Sequence, residues 1–112
     1  PVYAASVGVV TYARLVPSPS TWGRLVVIDH GHGVCTRYAH MATMLVSEGD
    51  TVACGDIIGT IGGAAYGLAN HLHFDVSPNG RLLTHPTDWP GTDRARVLRD
   101  YVNPRDWLRD RV

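Results

Sequence analysis

Lysine is absent from this 112-residue chain, and all ten basic side chains are arginine. That absence excludes any function in which a cofactor is attached to a lysine amine. A charge imbalance is missing too: ten basic residues face ten acidic ones and the formal net charge is zero, so no electrostatic footprint points to nucleic acid or to a membrane surface. No apolar run is long enough to span a bilayer, which takes about 20 residues. Cysteine is scarce. Cys35 and Cys54 cannot define a disulfide framework, and since both fall in apolar, strand-like runs they are expected to be buried free thiols. No leader segment is visible, but a chain that starts at Pro1 carries no information on targeting. The length fits one domain with a usable core, although a chain this short buries only a modest fraction of its surface.

The most informative stretch that is present reads His71-Leu72-His73-Phe74-Asp75. Side chains alternate between faces in a strand, so His71, His73 and Asp75 share one side and Leu72, Phe74 and Val76 the other. The two imidazoles then sit about 7 Å apart. Neutral imidazole binds Zn²⁺ and also titrates near neutral pH, so the pair suits a metal ligand beside a proton-transfer group. A solvated face gives the same pattern, and a third partner is needed to decide. One is found upstream in Thr36-Arg37-Tyr38-Ala39-His40-Met41, where the same alternation puts Thr36, Tyr38 and His40 on one face. Its alternative is a partly buried histidine satisfied by a backbone carbonyl. His30-Gly31-His32 falls in a glycine turn at a strand end, and His85, before Pro86, is expected in a solvated loop.

The chain divides into a strand-rich front and a helical tail. Strands are predicted at residues 2–5, 7–15, 24–30, 34–41, 51–53, 57–61 and 71–76, separated by Pro17-Ser18-Pro19-Ser20, the Gly31 to Gly33 turn, Glu48-Gly49-Asp50 and Cys54-Gly55-Asp56. Residues 62–70 form a glycine- and alanine-rich loop leading into the His71 strand. Many short strands with glycine turns favour an all-β antiparallel sandwich or barrel-like fold. After Asn79-Gly80 the character changes. Thr92 and Asp93 fit a helix N-cap and first turn, with Ala95, Leu98 and Val102 as a narrow apolar stripe. Asn103-Pro104 ends that helix, and Pro104 opens a second one through Trp107 and Leu108. The arginines of this tail alternate with aspartates, as on a solvated helical face.

Several segments together resemble the M23, lysostaphin-like zinc metallopeptidases that cut peptide cross-bridges of bacterial peptidoglycan. They are Pro1-Val2-Tyr3-Ala4-Ala5 with Gly8-Val9-Val10, Val26-Val27-Ile28-Asp29-His30-Gly31 with Gly33, Tyr38-Ala39-His40-Met41, Val46-Ser47-Glu48-Gly49-Asp50-Thr51-Val52 with Gly55-Asp56-Ile57-Ile58-Gly59, and His71-Leu72-His73-Phe74-Asp75-Val76. They follow the family's order over roughly the first eighty residues. The resemblance implies a single peptidase domain over residues 1–112, with a core at 1–81 and an insertion and helical tail at 82–112. It implies that His73 is a zinc ligand, that His71 assists the attacking water, and that His40 stabilises the oxyanion. Tyr38 and Tyr66 are the candidate walls of a substrate groove, with a plain core position as the alternative for Tyr38, and Asp75 orients a neighbour.

The same resemblance places two more zinc ligands, a His and an Asp in an H-x-x-x-D motif, ahead of the Pro-Val-Tyr-Ala-Ala segment. No position here matches them, so one expected ligand of three is present. The expectation is an N-terminally incomplete peptidase domain or a metal-free relative, since a catalytic zinc needs three protein ligands and an open water site. The implied activity is zinc-assisted endopeptidase hydrolysis of a peptidoglycan peptide, located in the cell envelope or outside the cell. Two rivals belong to other classes. One is an inactive module of the same family that binds peptidoglycan or activates a separate hydrolase. The other is a sugar-phosphotransferase carrier relaying phosphate between two histidines. Residues 46–59 also resemble the hairpin of biotinyl and lipoyl carriers, but without lysine that chemistry has no nucleophile.

Overall fold

The computed structural model describes residues 1–62 and 71–109. Its central strand shows why the sandwich forms. In β3 (Arg24–Asp29) the run Leu25-Val26-Val27-Ile28 is apolar without alternation, and all four side chains are fully buried. An unbroken apolar strand needs cover on both faces, and β3 has it. Val26 and Ile28 join Val2, Ala4, Val10, Tyr38, Met41, Val52 and Ile58 in one core, while Leu25 and Val27 join Cys35, Ala39 and Leu82 in a second.

The remaining strands are β1 (Val2–Tyr3), β2 (Gly8–Leu15), β4 (Cys35–Met41), β5 (Thr43–Met44), β6 (Thr51–Val52), β7 (Ile57–Thr60) and β8 (His73–Ser77). They form an antiparallel five-stranded sheet in the order β6-β2-β3-β4-β8 and a smaller sheet in the order β1-β7-β5. The expected antiparallel β-sandwich is what the chain builds. At the β3–β4 hairpin, Gly31 and Gly33 have φ of 90° and 78°, values glycine adopts without penalty, and Asp29 Oδ1 accepts from the Gly31 N–H at 2.9 Å. The small sheet closes over Gly59, where a Cβ would stand 2.2 Å from both the Thr43 carbonyl oxygen and Met41 Cε.

Three short helices follow the sheet: α1 (Arg81–Thr84), α2 (Arg94–Asp100) and α3 (Pro104–Arg109). Asp93, not Thr92, is the N-cap of α2, its side chain accepting from the Arg96 N–H at 3.1 Å, so the helix starts one residue later than the sequence predicts. The predicted apolar stripe is not its buried face. Ala95 and Leu98 are exposed, and Val102 lies beyond the helix in a bridge to Val76. The inward face is polar instead. Arg81 and Arg96 both grip Asp88, and the buried Asp100 receives hydrogen bonds from Arg99 Nε (3.0 Å) and Asn79 Nδ2 (2.8 Å). Part of the supposedly solvated arginine face is thus a packed ion-pair network. No helix among the described residues is long and apolar enough to cross a membrane.

Candidate active site

The site grows from the pairing of β4 with β8, in which Arg37 stands opposite Asp75 and Ala39 opposite His73. Alternation puts those four on the outer face of the large sheet and sends Tyr38 and Phe74 to the sandwich core, their rings 5.3 Å apart. Simple alternation would also bury His40 with Tyr38. A bulge prevents it. Arg24 pairs with Met41 and Val26 with Tyr38, so the two residues Ala39 and His40 oppose Leu25 alone. His40 takes a left-handed φ of 63°, and its N–H donates to the Trp22 carbonyl at 3.0 Å. A non-glycine residue held there costs about 1–2 kcal/mol, and strain of this kind clusters at functional sites.

The bulge turns His40 toward the other two histidines. Ring centroids lie 5.0 Å from His40 to His71 and 5.9 Å from His40 to His73. His71 is exposed and precedes β8 rather than lying in it, so the expected strand starts two residues late. Burial, then the neighbouring imidazoles of His73 and His71, hold the pKa of His40 below its ordinary value, against the pull of the Thr21 and Trp22 carbonyls. Its Nδ1 is buried with no hydrogen-bond partner of good geometry.

His73 is held more firmly. Its Nε2 lies 2.8 Å from Asp75 Oδ2, and its ring is met edge-on by Trp22 and Trp89, each at 5.2 Å. Asp75 in turn accepts from Arg37, whose Nε is shared between Oδ1 at 2.9 Å and Oδ2 at 3.1 Å and whose terminal nitrogen donates to Oδ2 at 2.8 Å. Beside these groups opens a hollow of about 350 Å³ lined by Ser20, Thr21, Trp22, His40, His73 and Trp89.

The structure brings His40, His71 and His73 together and decides Tyr38 for the core rather than the groove wall. Tyr38 is 1% exposed, packed on the opposite face of the sheet, with its hydroxyl accepting from the Ala5 N–H at 3.0 Å and bonded to Thr36 Oγ1 at 2.8 Å. It cannot touch a substrate. Tyr66 lies outside the described residues. The hollow is walled instead by Trp22 and Trp89, which sequence patterning did not single out. Arg37 was missed as well, although a charge between Thr36 and Tyr38 in an otherwise apolar strand was its signal. His30 proves structural, its ring nitrogens 2.8 Å from the Val7 carbonyl and from Thr36 Oγ1. Both cysteines are free, but only Cys35 is buried, its thiol pushed up to about 12 by burial and then by the charge of Asp29. Cys54 sits in an exposed turn, which corrects the expectation of two buried thiols.

His73 fits one metal-ligand position. With Nε2–H donated to a carboxylate, the lone pair is left on Nδ1, the arrangement that orients metal-binding imidazoles. Among the described residues no group of three His, Cys, Asp or Glu side chains could hold a metal ion. A catalytic zinc takes three protein ligands and an open water site, and a single imidazole does not hold the ion usefully.

Residues 1–85 match the model of peptidase family M23, and the chain belongs to that family. It is 38% identical over 81 residues to the peptidoglycan DD-endopeptidase ShyA of Vibrio cholerae and 35% identical over 81 residues to the DD-carboxypeptidase/endopeptidase Mpg of Neisseria meningitidis. Each alignment covers 72% of this chain and 18% of the relative, so the chain spans less than a fifth of their length. Among solved structures, the catalytic domain of the antimicrobial peptidase lysostaphin from Staphylococcus simulans superposes with a TM-score of 0.72 at 26% identity, covering 97% of this chain and 70% of that one. A zinc-containing peptidase from Vibrio cholerae is 34% identical, with a TM-score of 0.56, covering 63% of this chain and 21% of the other.

Proposed function

We propose that this chain carries the histidine side of an M23 endopeptidase site that cuts peptide cross-links of bacterial peptidoglycan, acting in the cell envelope or outside the cell. The observation that supports this reading is the bulge in β4, which spends backbone strain to bring His40 beside His71 and His73 at an open hollow.

In this reading His73 is the ligand the chain offers to Zn²⁺, and zinc, where a full ligand set binds it, supplies Lewis acidity and an acidified water. His71, exposed at the rim, accepts and returns a proton. His40 donates a hydrogen bond to the oxyanion that develops on the scissile carbonyl, an effect typically worth about 3 kcal/mol. Trp22 and Trp89 flank the peptide and exclude water around His73.

The test is calorimetric titration of zinc into the chain and into His73→Ala, paired with release of peptides from purified peptidoglycan. One-to-one binding abolished by the substitution, together with hydrolysis, supports the proposal. Zinc binding that survives in His73→Ala removes that residue from the ligand set. Binding of peptidoglycan without zinc uptake or hydrolysis favours an inactive module of the same family.

A further inference from the structure

Of residues 81–101 the site as described so far uses only Trp89, yet the segment also closes around Arg37. We propose that Arg37 is a positioning residue for His73, and that residues 81–101 form a clamp that holds Arg37 in place. The proposal rests on the reading of His73 as a ligand.

The Arg37 side chain is fully buried, and all five of its N–H groups are accounted for. Nε and one terminal N–H go to the two oxygens of Asp75 (2.9 and 2.8 Å), the second N–H of that nitrogen to the Tyr101 hydroxyl (3.1 Å), and the other terminal nitrogen to the carbonyls of Pro86 (3.1 Å) and Asp88. Its guanidinium also lies over the Trp22 ring, 4.5 Å from the centroid. Three of these five acceptors come from the clamp. The clamp is itself fastened, because the Asp88 carboxylate is gripped by Arg81 and Arg96, which fixes the backbone whose carbonyls face Arg37.

Stability alone does not explain this arrangement, since a buried ion pair is often no better than a well-packed apolar pair of the same volume. What the pair does beyond packing is present a fixed oxygen. Asp75 Oδ2 receives Arg37 on one side and stands 2.8 Å from His73 Nε2 on the other. With the carboxylate held by the guanidinium fork, the His73 ring is kept in one orientation, with the lone pair on Nδ1. Lysine has no planar fork and three donors instead of five, and cannot replace these contacts.

The test follows the His73 ring by ¹⁵N NMR of the metal-free chain, at a pH where the imidazole is neutral. In the native protein a ring proton is expected on Nε2, protected from exchange. In Arg37→Lys its exchange should quicken by about tenfold or more, the size of one charge-assisted hydrogen bond, with the ring nitrogens moving toward a mixture of tautomers. Tyr101→Phe should shift the signal in the same direction by less, and it decides the matter if Arg37→Lys does not fold. Ile58→Ala, which loosens the other core and lies outside both the clamp and the fork, should lower Tm and leave the His73 signal alone. An unchanged Nε2–H in a folded Arg37→Lys, or an equal change in Ile58→Ala, overturns the proposal. Zinc titration separates the two readings: the NMR response is read without metal and upholds the clamp by itself, whereas zinc uptake that survives His73→Ala removes the ligand assignment alone.

Discussion

Tyr38 and Trp89 exchange the roles that a sequence reading gives to tyrosine and withholds from tryptophan. Tyr38 is two residues from His40 but on the opposite face, and its hydroxyl ties Ala5 to Thr36 inside the core. Tyr38→Phe keeps the ring contact with Phe74 and strands those partners, so it should cost about 1–2 kcal/mol. Chemical denaturation should show that loss with zinc uptake and peptide binding unaltered, and a change in binding without a loss of stability would mean that Tyr38 reaches the groove after all. Trp89 gives the converse case. It is half exposed and stands 5.2 Å from His73 and 5.6 Å from Trp22. Trp89→Ala is expected to weaken binding of a cross-bridge peptide by about tenfold, in line with loss of an aromatic anchor, with Tm little changed. Equal affinity for both forms, measured by fluorescence titration, would remove Trp89 from the substrate wall.

The elements after β8 depend on charge more than on apolar burial, and acid should therefore reach them first. Burial works to raise the Asp88 pKa, but hydrogen bonds from Arg81 and Arg96 outweigh it and hold the carboxyl below its ordinary value. Asp100 is lowered chiefly by Arg99, against burial and with help from Asn79. A carboxylate whose folded pKa is depressed stabilises the fold above the unfolded value, near 4, and that contribution fades as pH falls through the lower folded value. Residues 81–101 should thus loosen below about pH 4 while the large sheet, whose core is apolar, stays folded. Near-ultraviolet circular dichroism of the Trp22–Trp89 pair against far-ultraviolet signal from the sheet measures this. Coincident loss of both signals would show that the clamp and the sheet unfold as one unit.

For the molecule as a whole, one sheet with two covered faces sets the order of stability. β3 is central and buried on both sides, with β2 and β4 as its antiparallel neighbours. Local opening is rarest where apolar contacts and ladder hydrogen bonds are densest. Amide exchange should be slowest in β3 and β4 and faster in α2 and α3, with the His40 bulge exchanging at the slow rate of the sheet because its N–H is bonded to Trp22. Fast exchange at His40 would show that the site opens independently of the sheet, and would weaken the view of a preorganised histidine cluster.

The amino-acid sequence by itself determined the sandwich, the family and the three histidines. Strand alternation, glycine turns and the continuous apolar run of β3 are local properties, written in neighbouring residues. The start of α2 near Thr92 was legible for the same reason, although Asp93 proved to be the cap. Tertiary structure decided everything that depends on register between distant strands. The bulge that turns His40 away from Tyr38, the cross-strand meeting of Arg37 with Asp75, and the return of residues 81–101 over that pair all join parts of the chain far apart in sequence. Periodicity assigns a residue to a face of its own strand, but a bulge resets that assignment. Only the folded sheet shows which side chains then meet.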